Sequence, residues 1–104
     1  MSCNLKRKIQ VGSTVTNSIP NATIIQNEIV PSIVTQNVVF PFKFKKIPFV
    51  IVTVNNTNDP VADIDVSVVA HHITTTGFKF DAVNRDVTQN AIFTVDWQAI
   101  IYPY

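Results

Sequence analysis

The side chains best able to do chemistry in this 104-residue chain are its two histidines, His71 and His72, six aspartates, Arg85 and a single thiol, Cys3. Neutral imidazole is a common metal ligand, and an adjacent pair invites the idea of a metal site. The pair, however, closes a stretch from Ile64 to His72 that alternates like a strand, and neighbouring strand residues point to opposite faces. The two rings are therefore not expected to share an ion. The one arrangement that would gather several imidazoles is a trimer axis at which three copies of His71 meet around an ion or an anion. Asp63 and Asp65 are outward neighbours on the same strand, which describes a solvated edge rather than a calcium site or a carboxylate dyad. Cys3 has no intrachain partner, and Gly12 and Gly77 are too few for a phosphate-cradling loop. No zinc-hydrolase pattern and no thiol beside a base occurs, so no catalytic residue, metal or cofactor is expected and the chain reads as non-enzymatic. The sequons Asn21-Ala22-Thr23 and Asn55-Asn56-Thr57 carry no weight without a secretory route.

The elements that would position these residues are strands. Sixteen valines and 13 isoleucines stand against one leucine and six alanines, and β-branched side chains with stiff χ1 rotamers disfavour long helices. With 46% hydrophobic and 14% charged residues, the chain carries more apolar surface than one core of this size hides, so an oligomer is expected. From Gln36 onward a period of two takes over. Val38, Phe40, Phe42 and Phe44 share a face, although Pro41 argues for an edge or a bulge. Phe49 to Val54 is a continuous apolar run that predicts a central strand covered on both sides. After the turn Asn55 to Pro60 come the alternating strand ending in the histidines, a turn over Thr74 to Gly77, Phe78 and Phe80 pointing inward, a polar loop, and the row Phe93, Val95, Trp97 and Ala99. Five or six short strands without helical period predict an antiparallel sandwich.

Residues 1–35 differ in character. Ile9, Val11 and Val15 around Gly12 predict one strand, and the remainder, rich in Asn, Thr and Ile, reads as an extended arm held against a subunit surface. The expected division is thus 1–35, a strand and arm, and 36–104, the sandwich. Charge is divided along the chain as well. Residues 1–48 hold six basic side chains against Glu28, a net of +5, and residues 49–104 hold two against six aspartates, a net of −4. A basic half and an acidic half let subunits attract one another, or let Lys6, Arg7 and Lys8, with Lys43, Lys45 and Lys46, lie on an acidic partner surface. Six basic residues fall short of the basicity of a nucleic-acid binder. No run approaches the ~20 apolar residues that span a bilayer, and the first residues lack the apolar stretch of a secretion signal. The expectation is a soluble protein made in a cytoplasm.

The order of features is more specific than a generic sandwich. Phe40-Pro41-Phe42-Lys43-Phe44, Pro48 before Val50 to Val54, Ile73-Thr74-Thr75-Thr76-Gly77-Phe78, and Val95-Asp96-Trp97-Gln98-Ala99 together resemble the H-type lectin domain over roughly residues 36–101. The resemblance implies a six-stranded antiparallel β-sandwich assembled as a homotrimer. Gly77 is expected to reverse the turn at positive φ and Phe78 to enter the core opposite Trp97, so that Gly77, Phe78 and Trp97 are structural.

The lectin chemistry carries over poorly. Sugar-binding members use an arginine near the start of the long middle strand and a Trp-His pair in the loop after Gly-Phe, in clefts between subunits. Those places here hold Asp65 and Arg85-Asp86. Asp65, Arg85 and Asp86 could still meet hydroxyls or form an intersubunit salt bridge, but the loop brings no aromatic ring for a sugar face. H-type-lectin-like modules also occur as trimeric parts of bacteriophage particles. The chain is therefore expected to be a virion surface structural protein, a capsid decoration or cement trimer or a tail-tip module, that binds other particle proteins. The alternative is a lectin reading glycans at intersubunit clefts.

Overall fold

The computed structural model describes residues 8–57 and 65–102. Among them are eight strands: β1 (Ile9–Val15), β2 (Thr23–Ile25), β3 (Glu28–Val30), β4 (Ser32–Val39), β5 (Phe49–Thr57), β6 (Val66–His71), β7 (Gly77–Asn84) and β8 (Phe93–Ile100). The protein is all-β and every ladder is antiparallel. Two three-stranded sheets, ordered β1-β8-β5 and β4-β7-β6, lie on one core, and β2 and β3 form a separate two-stranded hairpin. No helix among the described residues is long and apolar enough to cross a membrane.

Period-two patterning builds the core. On β8, Phe93, Val95, Trp97 and Ala99 are buried while the residues between them are not. Phe78, Phe80 and Ala82 face them from β7, with Val38 from β4. Phe78 meets Trp97 edge to face, with ring centroids 5.8 Å apart and planes at 71°. That geometry adds about 1 kcal/mol to what burial alone contributes.

Gly77 does not reverse the chain as expected, because no glycine lies at positive φ. Its requirement is steric instead: a Cβ there would drive into the carbonyl oxygen of Val38, its neighbour across the β4–β7 ladder. Among the described residues, those at positive φ are Gln26, Asn27 and His72. The turn itself is held by Thr74, whose Oγ1 accepts from the backbone N–H groups of Thr76 and Gly77, each at 3.2 Å.

Two strand expectations are corrected. Phe40 to Phe44 is not a strand, since Pro41 removes a ladder donor and β4 stops at Val39. Phe40 and Phe44 still reach the core, and the segment is tied to the 74–77 turn by Phe40 N–H to Thr76 O and Phe44 N–H to Thr75 O. Phe42 is left outside, its peptide paired by the buried Gln10 side chain, which donates to Phe42 O at 2.7 Å and accepts from Phe42 N–H at 3.1 Å. Phe49–Val54 is an edge, not a centre: β8 lies at the middle of that sheet, and Phe49 and Ile51 on β5 are exposed.

Residue 35 marks no break in the fold, since β4 runs across it and β1 pairs along its whole length with β8. Gly12 lies beneath Trp97, where any Cβ would collide with the indole. Ile19 is fully buried and exchanges two 2.9 Å backbone hydrogen bonds with Ala91. The part of residues 8–35 that stands clear is the hairpin. Its base is closed by Ser32 Oγ donating to Asn21 O, and Asn21 is in turn held by Asn90 and Val87. The molecule measures 58 × 27 × 19 Å, and its radius of gyration of 16.0 Å exceeds the ~13 Å of a compact chain this long.

Candidate binding and assembly surfaces

The first polar group lies where β7 gives way to its following loop. Arg85 N–H donates to Asp65 O at 2.8 Å, which sets the arginine beside the start of β6. Its Nη1 donates to Ser67 Oγ at 3.0 Å and stands 4.0 Å from Asp65 Oδ1. Both partners of that ion pair are well exposed, so it contributes little to stability. Asp86 turns elsewhere. Its Oδ1 accepts from Thr88 N–H at 2.8 Å and Thr88 Oγ1 at 2.6 Å, and its Oδ2 from Gln89 Nε2 at 3.3 Å. The Thr88 hydroxyl, then the Thr88 backbone, hold the Asp86 carboxyl below its ordinary value. Of the three residues expected to act together, the structure joins Asp65 and Arg85 and commits Asp86 to the loop.

Behind the loop lies Asn84, fully buried. Its Nδ2 donates to Pro20 O at 3.1 Å and Gln89 O at 3.0 Å, and its Oδ1 accepts from Asp86 N–H at 2.9 Å. One amide thus ties residues 19–20, the end of β7 and the loop together. Nothing in the hydrophobic pattern marks Asn84, Ile19 or Gln10. Asn84 and Ile19 sit in stretches that look like polar loop and arm, and Gln10 in the expected first strand, where nothing marks it as a peptide partner.

The second group is on the outer face of the β4-β7-β6 sheet, shared by Thr35, Asp81, Val69 and His71. His71 Nε2 lies 2.8 Å from Asp81 Oδ1, and Thr35 Oγ1 donates to that same oxygen at 2.6 Å. The hydrogen bond from Thr35, followed by that from His71, holds the Asp81 carboxyl below its ordinary value. The expectation that the two histidines diverge is overturned. β6 ends at His71, His72 takes φ of 50°, and the rings meet edge to face with centroids 4.7 Å apart and Nδ1 atoms 2.5 Å apart. Opposite faces hold only inside a regular strand, and His72 has left it. No cluster of three or more metal-ligating side chains occurs among the described residues.

The third surface is apolar. Gln26 and Asn27, both at positive φ, make the tight turn that suits a twisted two-residue hairpin. Ile24 opposes Ile29 on one face, and Ile25 and Val30 lie on the other beside Glu28 and Thr23. All six strand residues are exposed, with Ile24, Ile25 and Ile29 at 56–60%. Apolar residues also line the outer faces of the sheets: Val11, Phe49 and Ile51 on one, Ile33, Val39 and Val69 on the other. Lys43 and Lys45 are exposed in the loop between β4 and β5, while Lys6 and Arg7 lie outside the described residues, as does Asp63.

A model of the H-type lectin domain matches residues 35–100, from the middle of β4 through β8. The chain belongs to the H-type lectin family. Among curated proteins no sequence matches it. The lectin match takes in Phe78, Trp97 and the Arg85 loop, and leaves out β1 and the hairpin. β1 nevertheless completes the first sheet of the lectin domain, whereas the hairpin is an addition to it.

Proposed function

We propose that this H-type lectin domain is a non-enzymatic structural module of a virion surface, a homotrimer that decorates or cements a capsid or caps a tail, and that it works by protein contact. The observation that carries this reading is the hairpin of residues 23–30, apolar on both faces and exposed on both. A lone two-stranded ribbon is at best marginally stable in water, and leaving four large aliphatic side chains in solvent forgoes burial worth roughly 2 kcal/mol each. A ribbon of this kind gains most when pressed between other protein surfaces. The apolar outer faces of the two sheets give the same copies further contact area. The occurrence of H-type-lectin-like modules in phage particles supplies the virion setting by analogy.

The glycan reading rests on family membership together with the exposed Asp65–Arg85–Ser67 cluster. Against it stand the places where the resemblance puts the sugar-binding arginine and Trp-His pair, which hold Asp65 and Arg85-Asp86, and residues 85–92, which include no aromatic ring. A glycan array probed with the purified protein separates the two. No saturable binding is expected; saturable binding lost in Arg85→Ala would establish the lectin reading in place of assembly.

A further inference from the structure

We propose that His71 and His72 form a two-nitrogen chelate for a first-row divalent cation such as Zn²⁺, contained within one chain. The site lies on the outer face of the β4-β7-β6 sheet, two residues along β6 from Val69, and rests on the geometry of the two rings within one chain.

Four features of the pair bear on it. The first is the tautomer of His71. Asp81 is held as a carboxylate by Thr35 and can only accept, so His71 Nε2 carries the proton and Nδ1 keeps its lone pair. This is the carboxylate–imidazole arrangement that fixes the tautomer and orientation of metal-binding histidines. The second is direction, since that lone pair points at Nδ1 of His72. In the free protein the 2.5 Å contact requires His72 to donate its Nδ1 proton. The third is backbone cost. A histidine at φ of 50° is in a sparsely populated region, and the conformation is what turns the second ring beside the first. The fourth is room to adjust. Zn–N bonds of about 2.0–2.1 Å at a tetrahedral angle need nitrogens about 3.3 Å apart. With the ion seated on the His71 Nδ1 lone pair and His71 held on Asp81, the exposed His72 ring swings its Nδ1 aside by about 2 Å to reach that separation. His72 then shifts its proton from Nδ1 to Nε2, and water completes the coordination.

The other groups facing the pair are consistent with a labile site. β7 contributes Asp81 and Lys79, the latter being the register partner of His71, and β4 contributes the uncharged Thr35 and Asn37. His72, Thr74, Thr76, Asn37 and Lys79 line a shallow recess of about 240 Å³ that gives an ion open access.

The test is a titration of the untagged protein with ZnCl₂, followed by calorimetry and by the imidazole carbon-bound proton resonances in NMR. One ion per chain is expected, with half-saturation below about 0.1 mM and both histidine rings shifting. His72→Asn keeps a residue that tolerates positive φ, so the fold is retained while binding falls at least tenfold. Asp81→Asn should weaken binding about tenfold through loss of the orienting carboxylate. No binding at millimolar Zn²⁺ overturns the proposal. So does one ion per three chains with affinity unchanged in His72→Asn, which would place His71 alone on a symmetry axis.

Discussion

The hairpin of residues 23–30 and the row Phe93 to Ala99 on β8 are both apolar β-strand sequence, yet one is exposed throughout and the other is sealed. The difference lies in spacing. On β8 every second residue is apolar, so one face enters the core and the other carries Thr94, Asp96 and Gln98. In the hairpin the apolar pairs Ile24-Ile25 and Ile29-Val30 are consecutive, so apolar side chains fall on both faces and no single core can take them. Strict alternation therefore marks what this chain keeps for itself, and paired apolar residues mark what it offers outward.

The sharpest way to break the comparison is in the sealed region. Trp97→Ala should cost about 3–5 kcal/mol by chemical denaturation, since it removes the ring packed on Phe78, Phe40 and Gly12. Gly77→Ala should cost about 3 kcal/mol, because its methyl meets backbone rather than a movable side chain. Asn84→Ala should cost about 2–3 kcal/mol, leaving the carbonyls of Pro20 and Gln89 and the Asp86 amide without their partner. The exposed polar cluster should respond least: Arg85→Ala is expected to change stability by no more than about 0.5 kcal/mol.

Acid titration adds a graded comparison between the two carboxylates held below their ordinary values, Asp81 and Asp86. A depressed folded-state value means that stabilisation is fully present above the unfolded value near 4 and is lost as pH falls through the folded one. Stability measured from pH 7 downward should therefore decline mainly below about pH 4, and the slope should flatten in Asp81→Asn. A decline unchanged by that substitution would show that Asp81 is not held by Thr35 and His71.

Much of the sandwich was legible because β7, β8 and the core end of β4 alternate cleanly, and the Gly77-Phe78 and Trp97 spacing pointed to the right family. What escaped were places where a long-range polar partner overrides local pattern. Gln10 stands in for a strand beside Phe42, Asn84 gathers three segments 5 to 65 residues apart, and β1 finds β8 from the far end of the chain. His72 escaped for a different reason, since a single left-handed residue changes which way a side chain points and leaves no trace in hydrophobic spacing.

The claim that the exposed hairpin is the contact surface is tested most directly by co-sedimentation of the purified protein with virions from its source, comparing wild type with Ile24→Asn/Ile29→Asn. The double variant should melt within about 0.5 kcal/mol of wild type, as expected of substitutions on an exposed ribbon, and should no longer sediment with the particles. Undiminished sedimentation of that folded variant would contradict the assignment of the hairpin to assembly.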